Sequence, residues 1–220
     1  MSGVIKSSLA RKYAMALSGL FLVVFLLQHF IINLTSVFSE DVFNEISHFM
    51  GNNPLVQFVL QPVLIFGVIF HFLMGFVLEL KNRSSRDQNY AQNKGSANSS
   101  WMSRNMIWSG AVILSFLVLH FIDFWFPEMN YKYIESLPSD PNRYFEEMVH
   151  KFVNPIRVVA YAVSFGFLML HLLHGFSSSF QSLGANNKYI RAIKGFTTAF
   201  AIGIPLGFVF IALFHHLTAF

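Results

Sequence analysis

Two stretches of this chain share a pattern of residues able to hold a metal. His71-Phe-Leu-Met-Gly75-Phe76 and His171-Leu-Leu-His-Gly175-Phe176 both read His-x-x-x-Gly-Phe. The second lies inside residues 161–180, an apolar run long enough to cross a bilayer. A histidine at hydrocarbon depth costs roughly a few kcal/mol unless something satisfies it, so its default interpretation is functional. The glycine four residues on shares a helix face with the histidine. A bare patch beside an imidazole leaves room for a flat macrocycle to approach the backbone. The combination points to haem.

Two more histidines, His29 and His120, lie within other apolar runs. Of the 220 residues 54% are hydrophobic and only 12% charged, and the mean hydropathy of +0.51 is that of a polytopic membrane protein. Five spans are expected in one membrane domain covering residues 1–220. They run over about 13–38, 54–80, 104–126, 154–180 and 195–218. The first is too long for a signal-peptide core and is expected to stay uncleaved. Pro62 should kink the second span, and Pro127 should stop the third. Pro155 sits in the first turn of the fourth, where proline is tolerated. The absence of cysteine excludes iron–sulfur clusters, disulfides and c-type haem, so a redox cofactor must rest on histidine or methionine. The net charge of +4 reflects loop asymmetry and makes no case for nucleic-acid binding.

Lys and Arg gather in residues 1–12, 81–103 and 188–194, while 39–53 and 128–153 carry most of the carboxylates. The positive-inside rule then puts the N-terminus in the cytoplasm. That topology converts spacing into depth. His29 and His120 lie 17 and 16 residues beyond the basic residues that open their spans, about 25 Å from the cytoplasmic edge. His71 and His171 lie 10 residues before the cytoplasmic ends of their spans, about 15 Å from that same edge. Four histidines thus fall in two depth-matched layers, an outer one of His29 with His120 and an inner one of His71 with His171. Paired imidazoles facing across a bundle are the bis-histidine ligation of haem b, so a five-helix bundle holding two haems b is expected. Any single intramembrane histidine can instead hydrogen-bond a neighbouring helix. His174, one turn from His171, is the alternative inner ligand, and the repeated motif favours His171. His48, His150, His215 and His216 are expected to be interfacial.

The chain resembles the single-chain, five-helix, two-haem cytochrome b subunit of bacterial succinate:quinone oxidoreductases, that is, succinate dehydrogenase and fumarate reductase. The resemblance covers nearly the whole length. It rests on Ser18-Gly19-Leu-Phe-Leu followed by His29, His71 before a basic loop, His120 late in the third span, and His171-Leu-Leu-His-Gly175. It implies ligands from the first and third spans for the outer haem and from the second and fourth for the inner one. It also implies a bacterial inner membrane and a flavoprotein and an iron–sulfur subunit docked on the cytoplasmic face, with succinate/fumarate chemistry on those partners. A quinone, menaquinone by the same resemblance, would exchange electrons with this subunit within the lipid. Some members carry a carboxylate on the fourth span, proposed to carry protons. No Asp or Glu lies between Arg157 and Lys188 here, which leaves such a proton route without its carboxylate.

Three further expectations concern the ends of the bundle. Arg157 opens the fourth span on the outer side and is expected to bind an outer-haem propionate. Glu45, His48 and Asp123 are outer-face quinone-site candidates by location, with Asp123 also able to order His120 or a nearby helix end. The segment 81–103 is longer than a tight hairpin needs and is expected to contact the iron–sulfur subunit. Two other functions compete: a cytochrome b subunit of a hydrogenase or formate dehydrogenase, and a non-redox transporter with a histidine proton relay. Against the transporter, the chain lacks the membrane carboxylates and paired broken helices such proteins usually show.

Overall fold

The computed structural model describes residues 7–84, 105–185 and 188–219. Among these the chain is helical, without a strand. In order come α1 (Ser8–Phe38), α2 (Glu40–Asn52), a π turn (Val56–Leu60) running into α3 (Gln61–Ser84), and α4 (Met106–His120). A second π turn (Phe121–Trp125), α5 (Phe126–Met129) and a third π turn (Asn130–Ile134) continue α4. Then follow α6 (Arg143–Phe152), α7 (Pro155–Ser182) and α8 (Ile190–Thr218). Five stretches are long and apolar enough to cross a membrane: Ser8–Phe38, Val56–Asn82, Met106–Ile134, Pro155–Ser182 and Ile190–Thr218. By length and composition the chain is a multi-pass membrane protein. Most of the segment 81–103, with its expected docking role, lies outside the described residues.

Four spans form a bundle. α1 packs on α3 and α7, and α4 packs on α7 and, more lightly, α3. α1 faces α4 across one diagonal and α3 faces α7 across the other, without extensive backbone packing along either. α8 lies outside this bundle against α7 and α1. Phe30 fills the space over Gly207, where a Cβ would overlap its ring.

Pro62 and Pro127 share one setting. Each follows two residues after a π turn: Val56–Leu60 precedes Pro62, and Phe121–Trp125 precedes Pro127. Gln61 N–H reaches back to Val56 and Phe126 N–H to Phe121, so the ladder is already widened where proline cannot donate. The third span therefore does not stop at Pro127 but runs on to Ile134. α8 also starts earlier than expected, at Ile190, and carries Pro205 buried inside it.

The polar outer segments fold too. Ser39 caps α2 by accepting from Val42 N–H at 3.3 Å, with Glu40 and Asp41 in its first turn facing the positive helix end. α6 buries Met148 and Phe152 and turns Glu146, Glu147 and His150 outward. Together α2 and α6 cap the end of the bundle nearest His29 and His120, where Phe43, Met148 and Phe152 join Tyr161, Phe165 and Phe208 in one core. Asn154 caps α7 by accepting from Ile156 and Arg157 N–H. At the other end Gly184, at φ +91°, takes the left-handed turn that ends α7, with Ala185 N–H bonded back to Phe180.

Candidate functional site

His29, His71, His120 and His171 lie on the four bundle helices, and they meet across the diagonals. His29 on α1 and His120 on α4 have ring centroids 5.8 Å apart with planes at 88°. His71 on α3 and His171 on α7 are 6.4 Å apart at 67°. These are the two pairs that depth matching expects. A metal–imidazole bond of about 2 Å puts two opposed nitrogens about 4 Å apart across one ion. The ring centroids then lie farther out by one ring radius on each side, which is where both separations fall. Among the described residues no three of His, Cys, Asp and Glu converge to hold a metal ion. Each site is therefore a two-imidazole site, and the donor set fits axial ligation of a macrocyclic metal whose other positions the macrocycle fills.

The inner pair is held by two serines in matching ways. Ser18 Oγ on α1 is 3.0 Å from His71 Nδ1, and Ser109 Oγ on α4 is 3.2 Å from His171 Nδ1. Each hydroxyl also donates to a carbonyl three residues back, Met15 and Met106, both at 2.9 Å. The neighbouring Gly19 and Gly110 lie against the same rings, since a Cβ there would stand 3.4 Å from His71 Cε1 and 3.8 Å from His171 Cε1. The glycines of the His-x-x-x-Gly-Phe repeat each face a methionine of the adjacent helix. Gly75 lies against Met15 Cε and Gly175 against Met106 Cε, so their missing side chains let a methionine from the adjacent helix pack in.

Sequence reasoning missed these serines as ring partners, although a signal exists. Met15-x-x-Ser18-Gly19 and Met106-x-x-Ser109-Gly110 are each followed, after nine residues, by His-Phe-Ile at His29 and His120. α1 with α3 and α4 with α7 are thus two copies of one helix-pair unit. Ser18 stands beside the inner layer and His29 in the outer one, eleven residues on, as do Ser109 and His120. Both helices therefore separate the layers by about 16 Å of rise.

The outer pair has an aromatic surround. Phe25 stacks on His29 at 5.4 Å and Phe208 lies 5.8 Å from it. Phe124, Phe116 and Tyr161 surround His120 at 5.1, 5.9 and 6.4 Å. The Asn33 amide approaches His29 Nε2 at 3.4 Å while donating to the His29 carbonyl. His120 Nδ1 is buried without a hydrogen-bond partner. A buried polar atom left unpaired is costly, and this ring lacks the hydroxyl partner that each inner ring has at Nδ1.

Arg157 and Asp123 are close to this layer and pair with each other at 3.0 Å. Tyr161 donates to the other Asp123 oxygen at 2.9 Å. Asp123 therefore does not order His120 directly and does not face an open outer surface. It is buried and spent on two partners. His215, expected at the interface, is instead 2% exposed. Its Nε2 is hydrogen-bonded with Ser36 Oγ at 2.8 Å, pinning α8 to α1 beneath the α2–α6 cap. His216 bonds the Phe152 carbonyl at 2.8 Å. His48 is half-buried against Tyr144 and Asn52, while Glu45 and His150 are exposed. His174 makes no ring contact with another histidine.

Comparison with known proteins finds no family model, no curated protein and no solved structure that matches this chain.

Proposed function

We propose that this chain is a membrane-anchoring, electron-transferring cytochrome b subunit that binds two haems b, of the succinate:quinone oxidoreductase type. The observation that carries the proposal is the diagonal geometry. Two imidazole pairs, at 5.8 and 6.4 Å, come from four helices at two levels of one bundle. His29 and His120 would hold the outer haem and His71 and His171 the inner one. When bound, haem supplies one-electron carriage between the two faces. The chain itself orients the imidazoles, excludes water with Phe25, Phe124 and Phe208, and anchors partners to the lipid. Arg157 gives one nitrogen to Asp123 and stays partly exposed, so its remaining donors serve a propionate in this proposal. A flavoprotein and an iron–sulfur subunit dock on the cytoplasmic side, with a quinone, menaquinone by resemblance, as the membrane substrate.

The test is a haem count and a reduction. Purified complex should show b-type bands in a reduced-minus-oxidised spectrum and about two haems per chain in a pyridine haemochrome assay. Succinate, and neither formate nor hydrogen, should reduce them. A chain without b-type haem would overturn the cytochrome assignment, and reduction by formate or hydrogen alone would overturn the succinate one.

A further inference from the structure

We propose that Ser18 and Ser109 are positioning residues that fix the tautomer and donor strength of the inner ligand pair, an inference that rests on the two-haem function above. Each serine has one hydroxyl hydrogen, and each gives it to a carbonyl, Met15 O or Met106 O, at 2.9 Å. A carbonyl can only accept, so the serine oxygen is left to accept from the imidazole. Nδ1 of His71 and of His171 must then carry the hydrogen, an assignment drawn from hydrogen-bond accounting. Nε2 keeps its lone pair in both rings and is the nitrogen offered across the diagonal.

A hydrogen bond from Nδ1–H to an oxygen orients a metal-bound imidazole and raises its basicity. A more basic axial ligand favours the ferric over the ferrous ion and lowers the reduction potential. The outer pair lacks this device. His120 Nδ1 has no partner, and the Asn33 amide offers His29 a donor rather than an acceptor. The two copies of the helix-pair unit therefore place the same serine beside the inner layer only. The chain thus makes its two layers electronically unequal with one repeated residue.

The experiment is a redox titration of the purified complex carrying Ser18→Ala, Ser109→Ala, both, and the matching Ser→Thr changes. The inner component is identified as the one lost in His71→Ala. Each alanine variant should keep two haems and move the inner midpoint potential positive, the double variant farther than either single. The outer component should stay in place, and threonine, which keeps the hydroxyl, should restore the wild-type value. Loss of the inner haem alone from the alanine variants, with retention in the threonine ones, would support the same role. Two haems with an unmoved inner potential would overturn it, as would equal loss of both haems without rescue by threonine. A wild-type chain with no b-type haem would overturn the underlying function first, and the haem count distinguishes that failure from this one.

Discussion

Arg157, in the first turn of α7, lies 3.0 Å from Asp123, in the π turn that follows His120. The carboxylate side chain is 1% exposed and the guanidinium 31%. The pair is therefore asymmetric: only the cation can reach water. Removing the cation strands a buried anion with Tyr161 as its one remaining donor, whereas removing the anion leaves a guanidinium that can turn outward. Arg157→Leu should cost about 3 kcal/mol of stability in detergent. Asp123→Asn, which keeps an acceptor for Tyr161, should cost about 1 kcal/mol. Equal losses in thermal unfolding would show that the burial difference has no energetic weight.

The ring geometry makes a choice on α7. His171 stands 6.4 Å from His71, and His174 has no histidine opposite. Alanine at His29, His71, His120 or His171 should each remove one haem of two, whereas His174→Ala should keep both. A haem count that falls in His174→Ala and holds in His171→Ala would reverse the ligand assignment.

What could be read from the sequence, and what could not, follows from the range of the forces involved. The five spans were legible because crossing a bilayer demands about 20 apolar residues in a row. The diagonal pairing was legible because rise per residue turns spacing into depth once topology is known. α2 and α6 were not, since each is a short amphipathic helix whose charges look like loop polarity until Phe43, Met148 and Phe152 find the bundle end. The passage through Pro127 depends on a π turn that no single residue type signals. Ser18 and Ser109 look like ordinary mid-helix serines bonded to their own backbone, and only the repeat of Met-x-x-Ser-Gly separates them. His215 looked interfacial by its place near a helix end, and its burial depends on Ser36 of a span that is 179 residues away.

Helix α8 is held by close approach, and two glycines on it should respond in opposite ways. A Cβ at Gly207 would overlap the Phe30 ring, whereas one at Gly203 meets nothing within 4 Å. Phe30 is itself packed on Phe208 at 5.3 Å and cannot swing away freely. Gly207→Ala should destabilise the protein by about 1–3 kcal/mol through overpacking. Gly203→Ala should be neutral or stabilising by up to about 1 kcal/mol. A Gly207→Ala protein as stable as wild type would mean that α8 is not seated where Phe30 and Gly207 put it.

The outer cap is tied down by one carboxylate, and this makes both its rigidity and its side of the membrane measurable. Glu128 accepts from Lys132, Arg143 and the Tyr144 hydroxyl. Lys132 also reaches the Gly51 carbonyl at the end of α2. Arg143 is held further by Glu147 at 2.7 and 2.9 Å and by the rings of Tyr131 and Tyr144 at 4.0 and 4.4 Å. Burial works against the Arg143 charge, but the bonds from Glu128 and Glu147 outweigh it and push its pKa up, so the cation persists at every accessible pH. The two side chains are only 13% and 9% exposed, and trypsin needs a free lysine or arginine. Wild-type protein should therefore resist cleavage here. Glu128→Gln loses a charge-assisted bond worth about 1.5–3 kcal/mol, which raises the opened population about 10–100-fold and the cleavage rate with it. Lys132 should be cut first, because Arg143 keeps Glu147. With the N-terminus cytoplasmic, trypsin added to intact spheroplasts should cut the variant and trypsin added to inside-out vesicles should not. Cleavage confined to the vesicles would reverse the proposed orientation, and a variant as resistant as wild type would show that Glu128 does not hold the cap.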